Sequence, residues 1–273
     1  MSNSSIAFIG GGNMARSLIG GLVARGHQVG TLRVAEPGAA LRDDLRRDFG
    51  VRVFEQAGDA ADGAGSWLLA VKPQVMRMVC ADLAAMAQAQ RPVVLSIAAG
   101  VTTAQLDRWL GGGIAVVRAM PNIPALLGVG ITGLFANAAT GEAQRADAAE
   151  LLGAVGPTVW VDQEDLINAV TAVSGSGPAY VLLLAEAMQA AGIAQGLPAD
   201  TARTLVGQTL LGAATMLTQL DEPAEVLRKR VTSPGGTTQA AIEVFESGGF
   251  HALVDRALAA AADRGRQLST AND

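Results

Sequence analysis

The chain has 273 residues, a net charge of −5, half of its residues hydrophobic and only 4% aromatic, enough for one large or two medium domains packed from Ala, Val and Leu. Its charges are dispersed with no basic stripe, which argues against nucleic acid as a partner. The lone Cys80 excludes an internal disulfide and fits a reducing cytosol, and with only two histidines beside it a metal site is not expected.

The first residues carry no basic region and run straight into an apolar strand, so no signal peptide is expected and the protein should be soluble and cytoplasmic. Residues 5–9 read as a buried strand, followed by a glycine turn and a helix over 13–24. A second strand over 32–35 ends at Glu36, and a helix follows over 39–49 with Leu41 and Leu45 at helical spacing. Further apolar runs over 51–54, 67–71, 93–97, 115–118 and 130–135 alternate with helical patterns, which predicts a parallel, doubly wound sheet.

The pattern changes around Thr158–Val161. Beyond Asp162 the segments 164–193, 199–219, 223–231, 236–247 and 250–268 are Ala- and Leu-rich with helical period. The chain is therefore read as a Rossmann-type α/β domain over 1–162 and an all-α domain over 163–273. The longest apolar stretch, about 169–193, is interrupted by Ser174-Gly175-Ser176-Gly177-Pro178 and by Glu186, so it is read as a buried helix start and not a membrane span. Small-residue helices of this kind commonly bury a face against a second subunit.

Five turn-forming segments follow apolar strands: Gly10-Gly11-Gly12-Asn13-Met14-Ala15, Glu36-Pro37-Gly38, Lys72-Pro73-Gln74, Ala98-Ala99-Gly100 and Met120-Pro121-Asn122. In an open parallel sheet they all fall at the carboxyl ends of the strands, where ligands bind. Gly10-x-Gly12-x-x-Ala15 lies between strand and helix, the context a dinucleotide fingerprint requires. Gly10 permits the turn, Gly12 lets a pyrophosphate approach the backbone, and the helix start offers free N–H groups. A tight turn with no ligand would share this sequence.

Glu36 stands where an acid bonds the adenosine ribose hydroxyls and repels a 2′-phosphate, which tilts the cofactor toward NADH. Arg33 and Arg42 are close enough in sequence to hold a 2′-phosphate, so NADPH stays open. Lys72 is placed to touch cofactor ribose or phosphate, or else is a solvated lysine. Arg118 and Asn122 are either polar contacts near the nicotinamide or structural supports of the proline-containing loop.

In the helical half, Ser174–Tyr180 would break or open a helix, with Pro178 tolerated in a first turn. Val231-Thr232-Ser233-Pro234-Gly235-Gly236-Thr237-Thr238 does the same before the next helix. Backbone N–H groups at such a start, flanked by hydroxyls, suit a small carboxylate, although a plain helix cap would look alike.

These segments together resemble the pyrroline-5-carboxylate reductase family. Phe8-Ile9-Gly10-x-Gly12-Asn13-Met14-Ala15, Ala70-Val71-Lys72-Pro73-Gln74, Ser96–Gly100, Arg118–Asn122, Ala169–Tyr180 and Val231–Thr238 follow one another in the family's order along nearly the whole chain. The resemblance implies NADPH- or NADH-dependent reduction of 1-pyrroline-5-carboxylate to L-proline, the last step of proline biosynthesis. It also implies a helical dimerisation domain, with dimers often assembled into decamers.

For the cofactor it implies contacts from Ile9, Gly10, Gly11, Gly12, Asn13, Met14, Glu36, Ala70, Val71, Lys72, Pro73, Ala98, Ala99 and Arg230. For the substrate it implies Glu164, Ser233, Gly235, Gly236, Thr237 and Thr238, with Thr238 the catalytic candidate at the ring nitrogen. Departures from the family pattern are Ile123 for threonine, Asn168 for aspartate, the absence of an Asp-Asn pair over 54–58, and Glu36-Pro37 in place of the Ser/Asn-Arg of NADP-preferring members.

Imine reduction suits this residue inventory. A protonated C=N is already electrophilic, so orientation by hydroxyls and N–H groups suffices. Alcohol dehydrogenation would want a His or Lys base, and the helical half offers only His251 and Lys229, neither inside a loop motif; a β-hydroxyacid dehydrogenase would want a lysine in a long helix early in the second domain, and none occurs between Lys72 and Lys229. A non-catalytic dinucleotide sensor and a reductase of six-membered cyclic imines are the alternatives, since one methylene in a pocket is worth only about 1–3 kcal/mol.

Overall fold

The computed structural model describes residues 5–271. Eight strands form one sheet: β1 (Ile6–Ile9), β2 (Leu32–Ala35), β3 (Arg52–Phe54), β4 (Ser66–Leu69), β5 (Val93–Ser96), β6 (Ala115–Met120), β7 (Thr132–Ala136) and β8 (Thr158–Trp160). Their order is β3-β2-β1-β4-β5-β6-β7-β8. The strand order reverses between β1 and β4, so the crevice at their carboxyl ends is the place a doubly wound sheet offers a ligand.

The sheet is parallel from β3 through β6, and β7 also pairs parallel with β8. The expectation of a wholly parallel sheet is corrected at one place: β7 runs antiparallel to β6. A 3₁₀ turn over Ile123–Leu127 returns the chain directly, too short a link for the crossover that parallel pairing needs. The edge strand β8 was not anticipated, because three half-exposed residues carry little pattern.

Successive residues of β1 serve opposite faces. Ile6 and Phe8 join one apolar cluster; Ala7 and Ile9 join the other. Helices cover both. Helix α1 (Asn13–Ala24) buries Ala15, Leu18, Ile19 and Leu22, the i, i+3, i+4, i+7 stripe of an amphipathic helix. Helix α2 (Ala39–Phe49) ends at Gly50 in the left-handed region. Helices α3 (Ala57–Ala61), α4 (Pro73–Gln90), α5 (Thr103–Trp109) and α6 (Glu142–Leu152) complete the layers. Helix α4 turns Met76, Cys80, Leu83 and Ala87 inward.

Beyond β8 the described chain is helical: α7 (Leu166–Val170), a π-helical turn (Thr171–Gly175), α8 (Gly177–Ala194), α9 (Ala199–Gln219), α10 (Ala224–Arg230), α11 (Thr237–Ser247) and α12 (Phe250–Ala271). The contacts define two compact units. The first runs to Ser176 and takes in the chain from Ala260 onward; the second is Gly177–Ala259. Only Ala185, Ala202, Val206 and Leu227 of the second unit's apolar side chains are buried, whereas Leu182, Leu183 and Val244 are 68, 65 and 71% exposed. The continuous helix over Leu166–Ala194 is long and apolar enough to cross a membrane by length and composition, and little of it is buried.

Candidate functional site

In the first unit, Gly10 has φ +106°, and a Cβ there would sit 2.8 Å from the Ala70 carbonyl oxygen. Only glycine lets the loop after β1 lie against the end of β4. Gly12 starts α1, and a Cβ added to it would meet nothing within 4 Å. No side chain caps α1, and its first turn holds no acid. An open approach over Gly12 to uncapped N–H groups is what a pyrophosphate requires.

Around that loop the structure gathers Ile9, Gly10, Gly11, Gly12, Asn13 and Met14 after β1, Glu36 after β2, Ala70, Val71, Lys72 and Pro73 after β4, and Ala98 and Ala99 after β5. Glu36 is held there: its Oε2 accepts from the Gly11 N–H at 3.0 Å and its Oε1 from the Gly38 N–H at 2.9 Å. Lys72 is exposed, with Pro73 opening α4 behind it. Ala98 is buried and donates its N–H to the Ser96 hydroxyl at 3.3 Å. These residues fit a dinucleotide.

Glu164 also belongs to the first unit. One carboxylate oxygen accepts from the Thr103 N–H (2.8 Å) and the Arg118 guanidinium (3.1 Å), the other from the Thr103 hydroxyl (2.7 Å). Arg118 is 4% exposed and the Glu164 side chain 21%. The pair lines a cavity of about 280 Å³ with Thr102, Asn168, Arg266 and Ser269. Asn122 is buried too: its Nδ2 donates to the Ser174 carbonyl (3.1 Å), and its Oδ1 accepts from the Ile131 N–H (3.0 Å). Sequence reasoning left both Arg118 and Asn122 undecided between ligand contact and support; each now has protein partners. Thr103 was missed, since nothing local links it to an acid 61 positions away.

In the second unit, the Gly236 N–H donates to the Ser233 carbonyl at 3.0 Å. With Pro234 and Gly235 (φ +71°) between them, this is the residue pattern of a type II turn. Gly236 is the N-cap of α11, without a side-chain cap, and Thr237 and Thr238 form its first turn. Ser233, Thr237 and Thr238 are all exposed. The Gly235 N–H donates to Gln239 Oε1 at 2.7 Å. The result is an open helix start ringed by hydroxyls, with no fixed charge in that first turn.

Arg230 ends α10, and one guanidinium nitrogen reaches both oxygens of Glu222 at 2.7 and 2.6 Å. Arg230 is 55% exposed. Solvent-exposed pairs are worth only about 0–1 kcal/mol, so this guanidinium is released at little cost.

Comparison with known proteins gives two family matches. Residues 164–268 match the model for pyrroline-5-carboxylate reductase dimerisation, and residues 5–100 that for NADP oxidoreductase, coenzyme F420-dependent. A pyrroline-5-carboxylate reductase of Pseudomonas aeruginosa is 51% identical over 270 residues, covering 98% of each chain. One of Vibrio alginolyticus is 44% identical with 98% of each chain covered. Among solved structures, a Coxiella burnetii pyrroline-5-carboxylate reductase superposes with TM-score 0.95 at 42% identity, covering 98% of this chain and 99% of the other. A Plasmodium falciparum pyrroline carboxylate reductase with NADP bound gives 0.85 at 25% identity, with the same coverage.

Proposed function

We propose a division of labour for this chain, which belongs to the pyrroline-5-carboxylate reductase family: residues 1–162 hold the dinucleotide, and residues 163–273 grip the substrate and form the dimer. The reaction is the NAD(P)H-dependent reduction of 1-pyrroline-5-carboxylate to L-proline. The observation that carries the assignment of roles is the uncapped start of α11, with Ser233, Thr237 and Thr238 exposed around it.

On this reading the N–H groups and hydroxyls of Ser233–Thr238 hold the substrate carboxylate, and Thr238 bonds the ring nitrogen. When bound, NAD(P)H supplies the hydride to the imine carbon; the ring nitrogen enters already protonated, so charge and protons balance without a protein acid. Orientation is the protein's chief contribution. Gly10 to Met14 take the pyrophosphate, Glu36 the adenosine ribose, and Ala70–Pro73 with Ala98 and Ala99 the segment beyond it. Arg230 exchanges Glu222 for the cofactor. Glu164, its charge already shared between Thr103 and Arg118, acts by positioning them.

The scarcity of buried apolar side chains in Gly177–Ala259 supports an obligate homodimer. A unit this size cannot meet the entropy of folding with four buried apolar side chains, and a second copy supplies the missing cover. Assembly of dimers into a decamer, and a cytoplasmic location, belong to the same proposal. The native mass should be at least twice the chain's 27.7 kDa.

Thr238→Ala tests the substrate role. The expected result is a kcat/KM at least about tenfold lower, equivalent to 1.4 kcal/mol, with the affinity for NAD(P)H unchanged. Unaltered kcat/KM would remove Thr238 from the mechanism.

A further inference from the structure

We infer that this enzyme selects NADH over NADPH, and that Glu36 is the residue that sets the choice. The inference rests on the dinucleotide reading of the glycine loop and goes beyond it. The turn between β2 and α2 is where the adenosine ribose lies in a sheet of this order, and a 2′-phosphate there needs cationic or N–H partners. Each partner this chain could offer at that turn is already engaged.

The Glu36 carboxylate is not a swinging surface acid. It is pinned at both oxygens, to the Gly11 N–H of the glycine loop and to the Gly38 N–H at the entrance of α2. Turning it aside for a phosphate would sacrifice both charge-assisted bonds. It also takes the Gly38 N–H, a backbone donor at the entrance of α2 that an anion could otherwise use. Pro37 and Gly38, the next two residues, bring no side-chain donor.

Both nearby arginines are already bonded to protein groups. Arg42 donates through Nη1 to the Glu36 and Pro37 carbonyls, each at 2.7 Å, and its Nη2 lies 3.6 Å from Glu55. Arg33 leaves the turn altogether: its guanidinium donates to the Asp59 carbonyl at 2.5 Å and to the Asp62 carbonyl, and lies over the Phe54 ring at 5.1 Å. Arg42 thus braces the turn that presents Glu36, and Arg33 braces α3. A 2′-phosphate would meet a fixed carboxylate, with Arg33 directed to α3 and Arg42 already bonded to the carbonyls of the turn, whereas ribose hydroxyls would find an acceptor.

The test is binding, measured by titration calorimetry with NADH and with NADPH, and repeated with ADP-ribose and its 2′-phosphate, on the wild-type protein. The expected result is a Kd for the non-phosphorylated ligand at least about tenfold lower in both pairs. In Glu36→Ala the ratio should collapse toward unity, chiefly through tighter NADPH binding. Equal or tighter wild-type binding of NADPH would overturn the inference while leaving the reductase reading intact; so would an unchanged ratio in Glu36→Ala. Binding of neither dinucleotide would overturn both. The wild-type comparison stands even if the variant folds poorly.

Discussion

Asn122 completes a helix that Pro178 cannot. Proline has no N–H to give the carbonyl four residues before it, and that carbonyl, Ser174, accepts instead from Asn122 Nδ2 at 3.1 Å. The π-helical turn over Thr171–Gly175 precedes the gap, and such turns recur where a helix is adapted to a function. Asn122 simultaneously accepts from Ile131, so a single side chain ties the loop after β6 to both the helix and the approach to β7. Asn122→Ala leaves two part-buried backbone groups without their partner and should cost about 1–2 kcal/mol, read from urea unfolding at constant m-value. A loss below about 0.5 kcal/mol would mean these groups find other partners.

The buried Arg118 guanidinium depends on Glu164 for its counter-charge. Removing one partner of such a pair is far worse than its net worth, because the survivor stays buried and uncompensated. Glu164→Ala should destabilise by about 3 kcal/mol, and Glu164→Gln, which keeps an acceptor, by less. If Glu164 instead served only as a ligand contact, Glu164→Ala would change KM and leave the unfolding midpoint unmoved.

Gly10 and Gly12 should respond oppositely to alanine. Gly10→Ala forces a Cβ against the Ala70 carbonyl at a positive φ and should cost about 1–3 kcal/mol of stability. Gly12 has φ −69° and open space where a Cβ would go. Gly12→Ala should therefore fold within about 0.5 kcal/mol of the parent yet bind NAD(P)H at least about tenfold more weakly. Parallel melting and binding curves check both; undiminished binding by Gly12→Ala would contradict the pyrophosphate placement.

Burial pushes the Cys80 thiol up from 9.0 to about 12. The folded chain thus holds this proton more tightly than the unfolded chain. Its contribution to stability is complete below pH 9 and is lost as the pH rises toward about 12. Stability above pH 9 should fall more steeply in the parent than in Cys80→Ala, by up to about 1.4 kcal/mol per pH unit. Iodoacetamide at pH 8 should label Cys80 only after unfolding. Equal slopes, or fast labelling of the native protein, would place the thiol nearer to solvent.

Much of this was written locally in the chain. The helices near 13–24, 39–49 and 199–219 were legible, because their apolar spacing and terminal Gly or Pro are local signals. The glycine turn between β1 and α1 and the place of Glu36 at the end of β2 were legible because the apolar runs that flank them are local signals. What sequence could not carry was partnership across distance: Thr103 with Glu164, Asn122 with Ser174, Arg33 with the Asp59 carbonyl, and Arg42 with the Glu36 carbonyl. Each is a hydrogen bond set by tertiary packing, without period or spacing to betray it. The antiparallel β7 escaped because an apolar run does not state its direction.

The most direct test of the whole account is the loss of reduced-nicotinamide absorbance when 1-pyrroline-5-carboxylate is added to the purified protein, run separately with NADH and NADPH. The expected result is rapid loss with L-proline formed in equal amount, and the higher kcat/KM with NADH. Tight dinucleotide binding without any absorbance loss, with either cofactor, would contradict it.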